Sequence, residues 1–166
     1  MTPQVLDKKI VSLLEDRLKD EYKAHYHYQA ASNWCKNLGY SGGEKFFLKE
    51  STDELAHARK LQDYLSDWNV IPNLTSIEKP KVDFKNLYEL VCMSYELELD
   101  LYKKYNSTSA DVLPLDPSVF TFLDDFREIQ TSSVAEYATL INKMDLIDST
   151  DKFQVFYFDQ TVLANG

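Results

Sequence analysis

The chain has 166 residues, 44% of them hydrophobic, and carries a formal net charge of −9 at pH 7. This length suits one domain spanning residues 1–166, with enough apolar side chains to build a core. The acidic balance argues against a nucleic-acid partner or an anionic membrane surface, because both require patches of Lys and Arg. Only 4 Gly and 5 Pro occur, which favours long helices over a many-turned β fold.

Nothing in the sequence indicates secretion or membrane insertion. The N-terminus has no apolar signal region, and no stretch approaches the roughly 18 apolar residues of a membrane span. Cys35 and Cys92 fall inside helical patterns and do not form a Cys-x-x-Cys pair, which favours reduced, buried thiols. We therefore expect a cytoplasmic protein.

The first two predicted helices are separated by a very short connection. Helix one is predicted to have Thr2 as its N-cap and Pro3 at its first helical position, and to end near Asn37. Ser41 and Glu44 have the spacing of a capping box, which opens the second helix. So short a connection predicts that the two helices are antiparallel neighbours.

The second half of the chain opens with an extended connection. From Pro72 to Val82 there is no helical periodicity, and this length could cross a bundle. Asp83 is predicted to cap a third helix that runs to about Ala110, and Asp116 a fourth helix that starts at Pro117 and runs to about residue 146. The last stretch, residues 151–163, reads as a short fifth helix or a docked tail. The sequence therefore predicts an all-α four-helix bundle with a long crossover between helices 2 and 3 and a short C-terminal fifth helix.

Each long helix carries a polar residue inside its apolar stripe, near mid-length. These residues are Glu21 on the first helix, Glu54 and His57 on the second, Glu98 on the third and Gln130 on the fourth. Burying ionised carboxylates without a partner costs roughly several kcal/mol each. The Glu-x-x-His spacing places two donors on one turn, and carboxylate with imidazole suits iron, manganese or zinc. Three acids and one His at matching heights predict a metal cluster.

Each of these residues also has an ordinary structural interpretation. A single Glu such as Glu21 could lie at the edge of the core with its carboxylate reaching solvent, and Gln130 could be a satisfied core amide. A metal-free helical interaction module is therefore an alternative function. Its buried acids would then be an uncompensated electrostatic cost.

Taken together, the motifs resemble those of the ferritins, and most closely the bacterial non-haem ferritins. The resemblance covers nearly the whole chain and includes Asp20-Glu21-Tyr22, Asp53-Glu54-Leu55-Ala56-His57, Tyr95-Glu96-Leu97-Glu98, Gln130 and Phe156-Tyr157-Phe158-Asp159. It implies an iron-storage protein that oxidises Fe(II) to Fe(III) with dioxygen or peroxide at a di-iron ferroxidase site within each subunit. It also implies a homo-oligomeric hollow shell, of twenty-four subunits, that holds the ferric mineral.

The resemblance also implies roles for the polar residues. Glu21, Glu54 and His57 correspond to the ligands of the first iron, with Glu54 bridging to the second, so that two irons bind per subunit. Glu98 serves the second iron and Gln130 stands beside it. Tyr28 is similar to the site tyrosine that hydrogen-bonds a ligand and can supply an electron. The alternative interpretation of Tyr28 is a plain core aromatic.

Two departures from the family pattern affect cofactors and accessory sites. Leu55 occupies the position of the haem-ligating Met of bacterioferritins, so we expect no haem. Ile129, Ser132 and Ser133 stand where related ferritins place the acids of a third iron site. Only Glu50 and Asp53 remain as possible accessory ligands for a third ion.

A second functional alternative is a ferritin-like di-iron oxidase or peroxide scavenger with no storage role. Proteins of the rubrerythrin type add rubredoxin-like Cys pairs, and the spacing of Cys35 and Cys92 gives no such pair. The C-terminal segment that resembles the docked helix of ferritins also favours the storage interpretation.

Overall fold

A computed structural model of the protein describes Pro3 and residues 6–166. Its helices are α1 Lys8–Leu38, α2 Ser41–Asp67, α3 Leu87–Val112, α4 Pro117–Phe122, α5 Asp124–Met144 and α6 Lys152–Thr161, followed by a 3-10 turn at Leu163–Asn165. Among the described residues there is no strand. Helices α1 and α2 pack as one pair, and α3 packs with α5 as the other. The predicted all-α bundle, its long crossover and its short C-terminal helix are confirmed.

The start of α1 differs from the prediction. The helix begins at Lys8, and the side chain of Asp7 caps it by accepting the N–H of Lys9 at 2.7 Å. Pro3 is not helical, and Thr2 lies outside the described residues. Asp7 offers the N-cap carboxylate that stabilises a free helix end, so the helix starts there.

The junction between α1 and α2 depends on α6. Gly39 ends α1 with a φ of 85°, in the left-handed region that glycine adopts without strain. The predicted capping box is wrong, because Ser41 is itself the first helical residue and no side chain at the N-cap position bonds to the helix. Instead, Asp159 of α6 accepts the N–H groups of Gly42 at 3.1 Å and Gly43 at 2.6 Å. A Cβ at Gly42 would lie 2.0 Å from the carbonyl oxygen of Asp159, so only glycine permits this approach.

The second helix pair also departs from its predicted boundaries. Asn86, and not Asp83, caps α3. Asp83 accepts the indole N–H of Trp34 at 3.2 Å instead, which holds the end of the crossover against α1. Asp116 caps α4 as predicted. The predicted fourth helix is interrupted at Leu123, which separates α4 from α5.

No helix among the described residues is both long and apolar enough to cross a membrane. The interior is filled by aliphatic and aromatic residues from every helix. The buried polar side chains include Glu21, Glu54, Glu98 and Gln130, the polar interruptions that the sequence places at mid-bundle.

One of the buried polar groups, His27, gives the fold a distinct pH response. The ring is 8% exposed, and its Nε2 lies 2.9 Å from the hydroxyl of Ser94. Burial lowers the pKa of His27 to about 4, below its ordinary value of 6.5. The unfolded chain therefore binds a proton at His27 between these two values, while the folded chain does not.

We expect this difference to destabilise the protein in acid. The stabilisation is complete above about pH 6.5 and is lost as the pH falls toward 4, by roughly 2 to 3 kcal/mol. Chemical denaturation of the protein and of His27→Gln should reveal it as a pH-dependent difference in unfolding free energy. Carboxyl groups that titrate in the same range are common to both proteins and cancel. An identical difference at pH 7 and pH 4.5 would contradict the assignment.

Candidate metal centre

Three side chains from α1 and α2, two of them buried and one partly buried, converge at the middle of the bundle. Glu21 projects from α1, and Glu54 and His57 lie one turn apart on α2, so that one ligand atom from each falls within 4.8 Å of the others. His57 Nδ1 lies 3.0 Å from Glu54 Oε2 and 3.7 Å from Glu21 Oε2. The two carboxylates are almost fully buried, and the side chain of His57 is 16% exposed.

Burial and mutual interaction shift the pKa values of all three side chains. Burial, followed by the nearby Glu21, raises the pKa of Glu54 well above its ordinary value. Burial would also raise the pKa of Glu21, but the neighbouring His57 and Glu54 outweigh burial and lower that pKa. Burial opposes protonation of His57, yet the interaction with Glu21 raises its pKa.

One oxygen of the trio has no hydrogen-bond partner. Glu21 Oε2 is buried and accepts no hydrogen bond, although such an atom normally has a partner. Two carboxylates and an imidazole make a donor set that suits a divalent transition metal, including iron. The residues present therefore fit a cation at this point, and such a cation would engage the unpartnered oxygen.

Glu98 and Gln130 lie beside the trio and not within it. Glu98 is fully buried on α3. One of its oxygens accepts the hydroxyl of Tyr28, and the other accepts Nε2 of Gln130 at 2.8 Å. The sequence-predicted residues from α1, α2, α3 and α5 are thus brought to one level of the bundle, with Glu98 held by two hydrogen bonds.

Two further tyrosines belong to this centre and were not singled out from the sequence. Tyr105 is fully buried and donates its hydroxyl to Glu21. Tyr137 is also fully buried and donates its hydroxyl to Oε2 of Glu50 at 3.2 Å.

The sequence did contain a signal for these tyrosines. Tyr28, Tyr105 and Tyr137 each follow a predicted site residue, Glu21, Glu98 and Gln130 respectively, by seven positions. Seven residues make two helical turns and return to the same face. Each hydroxyl then reaches a carboxylate of a neighbouring helix, which spacing within one helix cannot reveal.

A groove between α2 and α5 leads to the trio. Glu54 and His57 lie on its wall, together with both possible accessory ligands, Glu50 and Asp53. The α5 side contributes the residues Glu128, Ile129, Ser132, Ser133 and Glu136. Burial and the charge of Glu136 raise the pKa of Glu50 to about 7. The groove is therefore an acidic approach to the centre.

Leu55, the residue from which we expect no haem, faces outward. Leu55 is 44% exposed on the side of α2 away from the trio. It borders a shallow apolar depression with Tyr22 and Arg59. Leu55 has no sulfur to offer there, and the absence of haem remains an expectation.

Comparison with known proteins gives one family. The profile described as "Ferritin: Ferritin-like domain" matches residues 11–147. A probable bacterial non-heme ferritin-like protein of Haemophilus influenzae is 28% identical over 149 residues, which cover 89% of this chain and 90% of the relative. A bacterial non-heme ferritin of Staphylococcus haemolyticus is 26% identical over 161 residues and 96% of both chains.

Solved structures give the same fold. An open pore ferritin of the archaeon Archaeoglobus fulgidus superposes with a TM-score of 0.90 at 21% identity, covering 95% of this chain and 96% of that one. A humanized archaeal ferritin superposes with the same TM-score at 22% identity. With the family profile spanning most of the bundle and full-length relatives that are bacterial non-haem ferritins, the chain belongs to the ferritin family.

Proposed function

We propose that this protein is an iron-storage ferritin that oxidises Fe(II) with dioxygen or peroxide and deposits ferric mineral inside a hollow shell. The observation that carries the proposal is the trio of Glu21, Glu54 and His57, in which both carboxylates are buried and one Glu21 oxygen has no hydrogen-bond partner. In a metal-free helical module, no cation would offset the free-energy cost of burying these carboxylates. Membership of the ferritin family supports the same reading.

In this proposal Fe(II) is the substrate, and the trio forms the first of two binding positions for it. Glu21 and His57 bind one ion, and Glu54 bridges to the second. Glu98 serves the second ion beside Gln130, after one of its oxygens exchanges its present hydrogen-bond partner for the cation. Anionic oxygen donors favour Fe(III) over Fe(II), and two ions held together each supply one electron to the oxidant.

The surface of the chain supports assembly into a shell. Large apolar side chains are exposed on the crossover, at Ile71 and Leu74, and on α6, at Phe153, Phe156 and Tyr157. Clustered apolar exposure of this kind marks contact surfaces between proteins. A homo-oligomer, with twenty-four subunits as in the family, would cover these residues. The net charge of −9 per chain would draw cations toward the shell.

The experiment that tests the function follows iron oxidation and iron retention on the same sample. Fe(II) is added in air, ferric absorbance and oxygen uptake are recorded, and the mixture is passed through size exclusion with light scattering. We expect oxidation faster than that of free iron, and iron that elutes with a large homo-oligomer. Fast oxidation without retained iron would favour the oxidase or peroxide scavenger, and neither activity would favour the metal-free module.

A further prediction concerns the number of ions bound. Ile129, Ser132 and Ser133 offer an apolar side chain and two neutral hydroxyls to the groove, and these are poor ligands for a hard cation. Anaerobic Fe(II) titration should therefore saturate near two ions per chain. The second ion should bind more weakly, because Glu98 is the one carboxylate that it does not share with the first ion in this proposal. Ser133→Glu should add a third ion.

The matched control for this titration is a substitution of equal size without charge. Ser133→Gln should leave the stoichiometry unchanged, because an amide oxygen is a weaker donor than a carboxylate. Three tightly bound ions in the unmodified protein would contradict the prediction. They would indicate that Glu128 or Glu136, which line the same groove, complete a site with Glu50 and Asp53.

A further inference from the structure

The two oxygens of the Glu21 carboxylate have different surroundings. Oε1 accepts the hydroxyl of Tyr105, a fully buried residue of α3. Oε2 has no hydrogen-bond partner among the described residues and lies 3.7 Å from Nδ1 of His57. One oxygen of Glu21 is therefore engaged by a neighbouring helix, and the other is free beside the remaining members of the trio.

We propose that Tyr105 is a positioning residue for the first binding position. Its hydroxyl reserves Oε1 of Glu21 and leaves Oε2 as the single oxygen that this carboxylate offers to a divalent cation. The inference rests on the proposed function and deepens it, because it assigns the orientation of one ligand to a residue that binds no ion itself. A carboxylate that contributes one donor atom leaves more of the cation's coordination positions for water or the oxidant.

The packing around Tyr105 fixes the place of its hydroxyl. The ring of Tyr105 stacks on Phe126 of α5, with an interplanar angle of 15° and centroids 5.1 Å apart. Phe126 also lies edge-on to the ring of His57, with centroids 6.2 Å apart. Close packing leaves a buried ring few alternative rotamers. One phenylalanine therefore supports both the tyrosine that orients Glu21 and the imidazole of the trio.

A polar contact beside Tyr105 holds α1 and α3 in the arrangement that this bond requires. Arg17, one turn before Glu21, donates Nη1 to the hydroxyl of Thr108 at 2.9 Å and to the carbonyl of Lys104 at 3.2 Å. Thr108 and Lys104 flank Tyr105 on α3. The two helices are thus joined by a contact that does not involve the Glu21 carboxylate, and this contact provides a control for the role of Tyr105.

The bond from Tyr105 affects metal binding through the orientation of a ligand. A carboxylate that rotates freely must be ordered when a cation binds, whereas one already held by a donor loses less conformational freedom. Partners that orient metal ligands in this way are typically worth about 10- to 100-fold in metal affinity. We therefore expect the hydroxyl of Tyr105 to change affinity as well as the number of oxygens that Glu21 supplies.

The test titrates the full-length protein anaerobically with Co(II), up to one ion per chain, by calorimetry and visible absorption. In Tyr105→Phe the dissociation constant of this ion should rise by about tenfold or more. The visible spectrum of the bound Co(II) should also change, because Glu21 is then free to bind through both oxygens and alter the ligand geometry. Phenylalanine keeps the ring and its stack on Phe126.

Thr108→Val is the matched control. It also removes a buried hydroxyl from α3 and a hydrogen bond between α3 and α1, but it leaves the bond from Tyr105 to Glu21 in place. Its Co(II) affinity and spectrum should match those of the unmodified protein. Equal losses in Thr108→Val and Tyr105→Phe would mean that Tyr105 only holds the helices together, and would overturn the assignment.

A double-mutant cycle tests whether Tyr105 acts through Glu21. In Glu21→Ala there is no carboxylate to orient, so adding Tyr105→Phe should leave the remaining, weaker Co(II) affinity unchanged. A further tenfold loss in the double variant would overturn the inference, because it would show that the hydroxyl acts on the site by another route.

The same titrations separate this inference from the proposed function. Unmodified protein that binds Co(II) and accelerates Fe(II) oxidation, with equal affinity and an equal spectrum in Tyr105→Phe, would overturn the inference alone. Unmodified protein that neither binds Co(II) nor accelerates Fe(II) oxidation would overturn the proposed function as well. If Tyr105→Phe does not fold, Phe126→Leu keeps the hydroxyl but removes the ring that supports it. That variant should also bind Co(II) more weakly, and an unchanged affinity would overturn the inference.

Discussion

Glu54→Ala is expected to slow the initial oxidation of Fe(II) by at least about tenfold, because the variant lacks the carboxylate that we propose bridges both ions. Glu54 belongs to the trio and lies within 3.0 Å of His57. Under the proposed function, the remaining donors would hold one ion loosely and would not keep two ions close enough to share an oxidant. Stopped-flow absorbance of the ferric product measures the rate.

The loss in this variant should come from chemistry and not from unfolding. Alanine is the best helix former, and the substitution removes a carboxyl whose pKa is raised by burial and by Glu21. The matched control is Glu96→Ala, which removes an exposed glutamate from α3 two residues before Glu98. An unchanged initial rate in Glu54→Ala, with two ions still bound, would contradict the assignment of Glu54.

Among the substitutions proposed for this protein, Asp159→Ala is expected to lower the free energy of unfolding most. The side chain of Asp159 is fully buried and accepts the N–H groups of Gly42 and Gly43 at the start of α2. Removing it leaves two buried donors without partners, at about 1–3 kcal/mol each, and removes a negative charge from a helix N-terminus. The midpoint temperature of thermal unfolding should fall by roughly 5 to 15 °C for a protein of this size.

Asp151→Ala is the control for burial. Asp151 also accepts two backbone N–H groups, those of Phe153 and Gln154, but at the exposed start of α6. Water replaces the carboxylate there, so the cost should be near the ordinary value of about 1 kcal/mol for a helix cap. Equal shifts in Asp151→Ala and Asp159→Ala would mean that α6 does not cap α2 through a buried contact.

The helix caps show which contacts a short-range sequence pattern can predict and which it cannot. Asp116 and Asp151 cap helices that start immediately after them, and the start of α4 at Pro117 was predicted from that local pattern. The predicted capping box at Ser41 failed because its function is performed by Asp159, more than a hundred residues away. The predicted cap at Asp83 failed because that side chain is engaged by Trp34. A cap signal is local, and a tertiary partner overrides it.

The number of long helices, the long crossover and the level at which the polar residues meet could all be predicted from the amino-acid sequence. This is so because helical periodicity and the Glu-x-x-His spacing place Glu21, Glu54, His57, Glu98 and Gln130 inward at matching heights. The contacts between helices became visible only in the folded structure: Tyr28 and Gln130 hold Glu98, Tyr105 reaches Glu21, and Tyr137 stacks on Tyr28 and reaches Glu50. These contacts join different helices, and their pairing depends on how the helices rotate and pack against one another, which periodicity within a single helix does not specify.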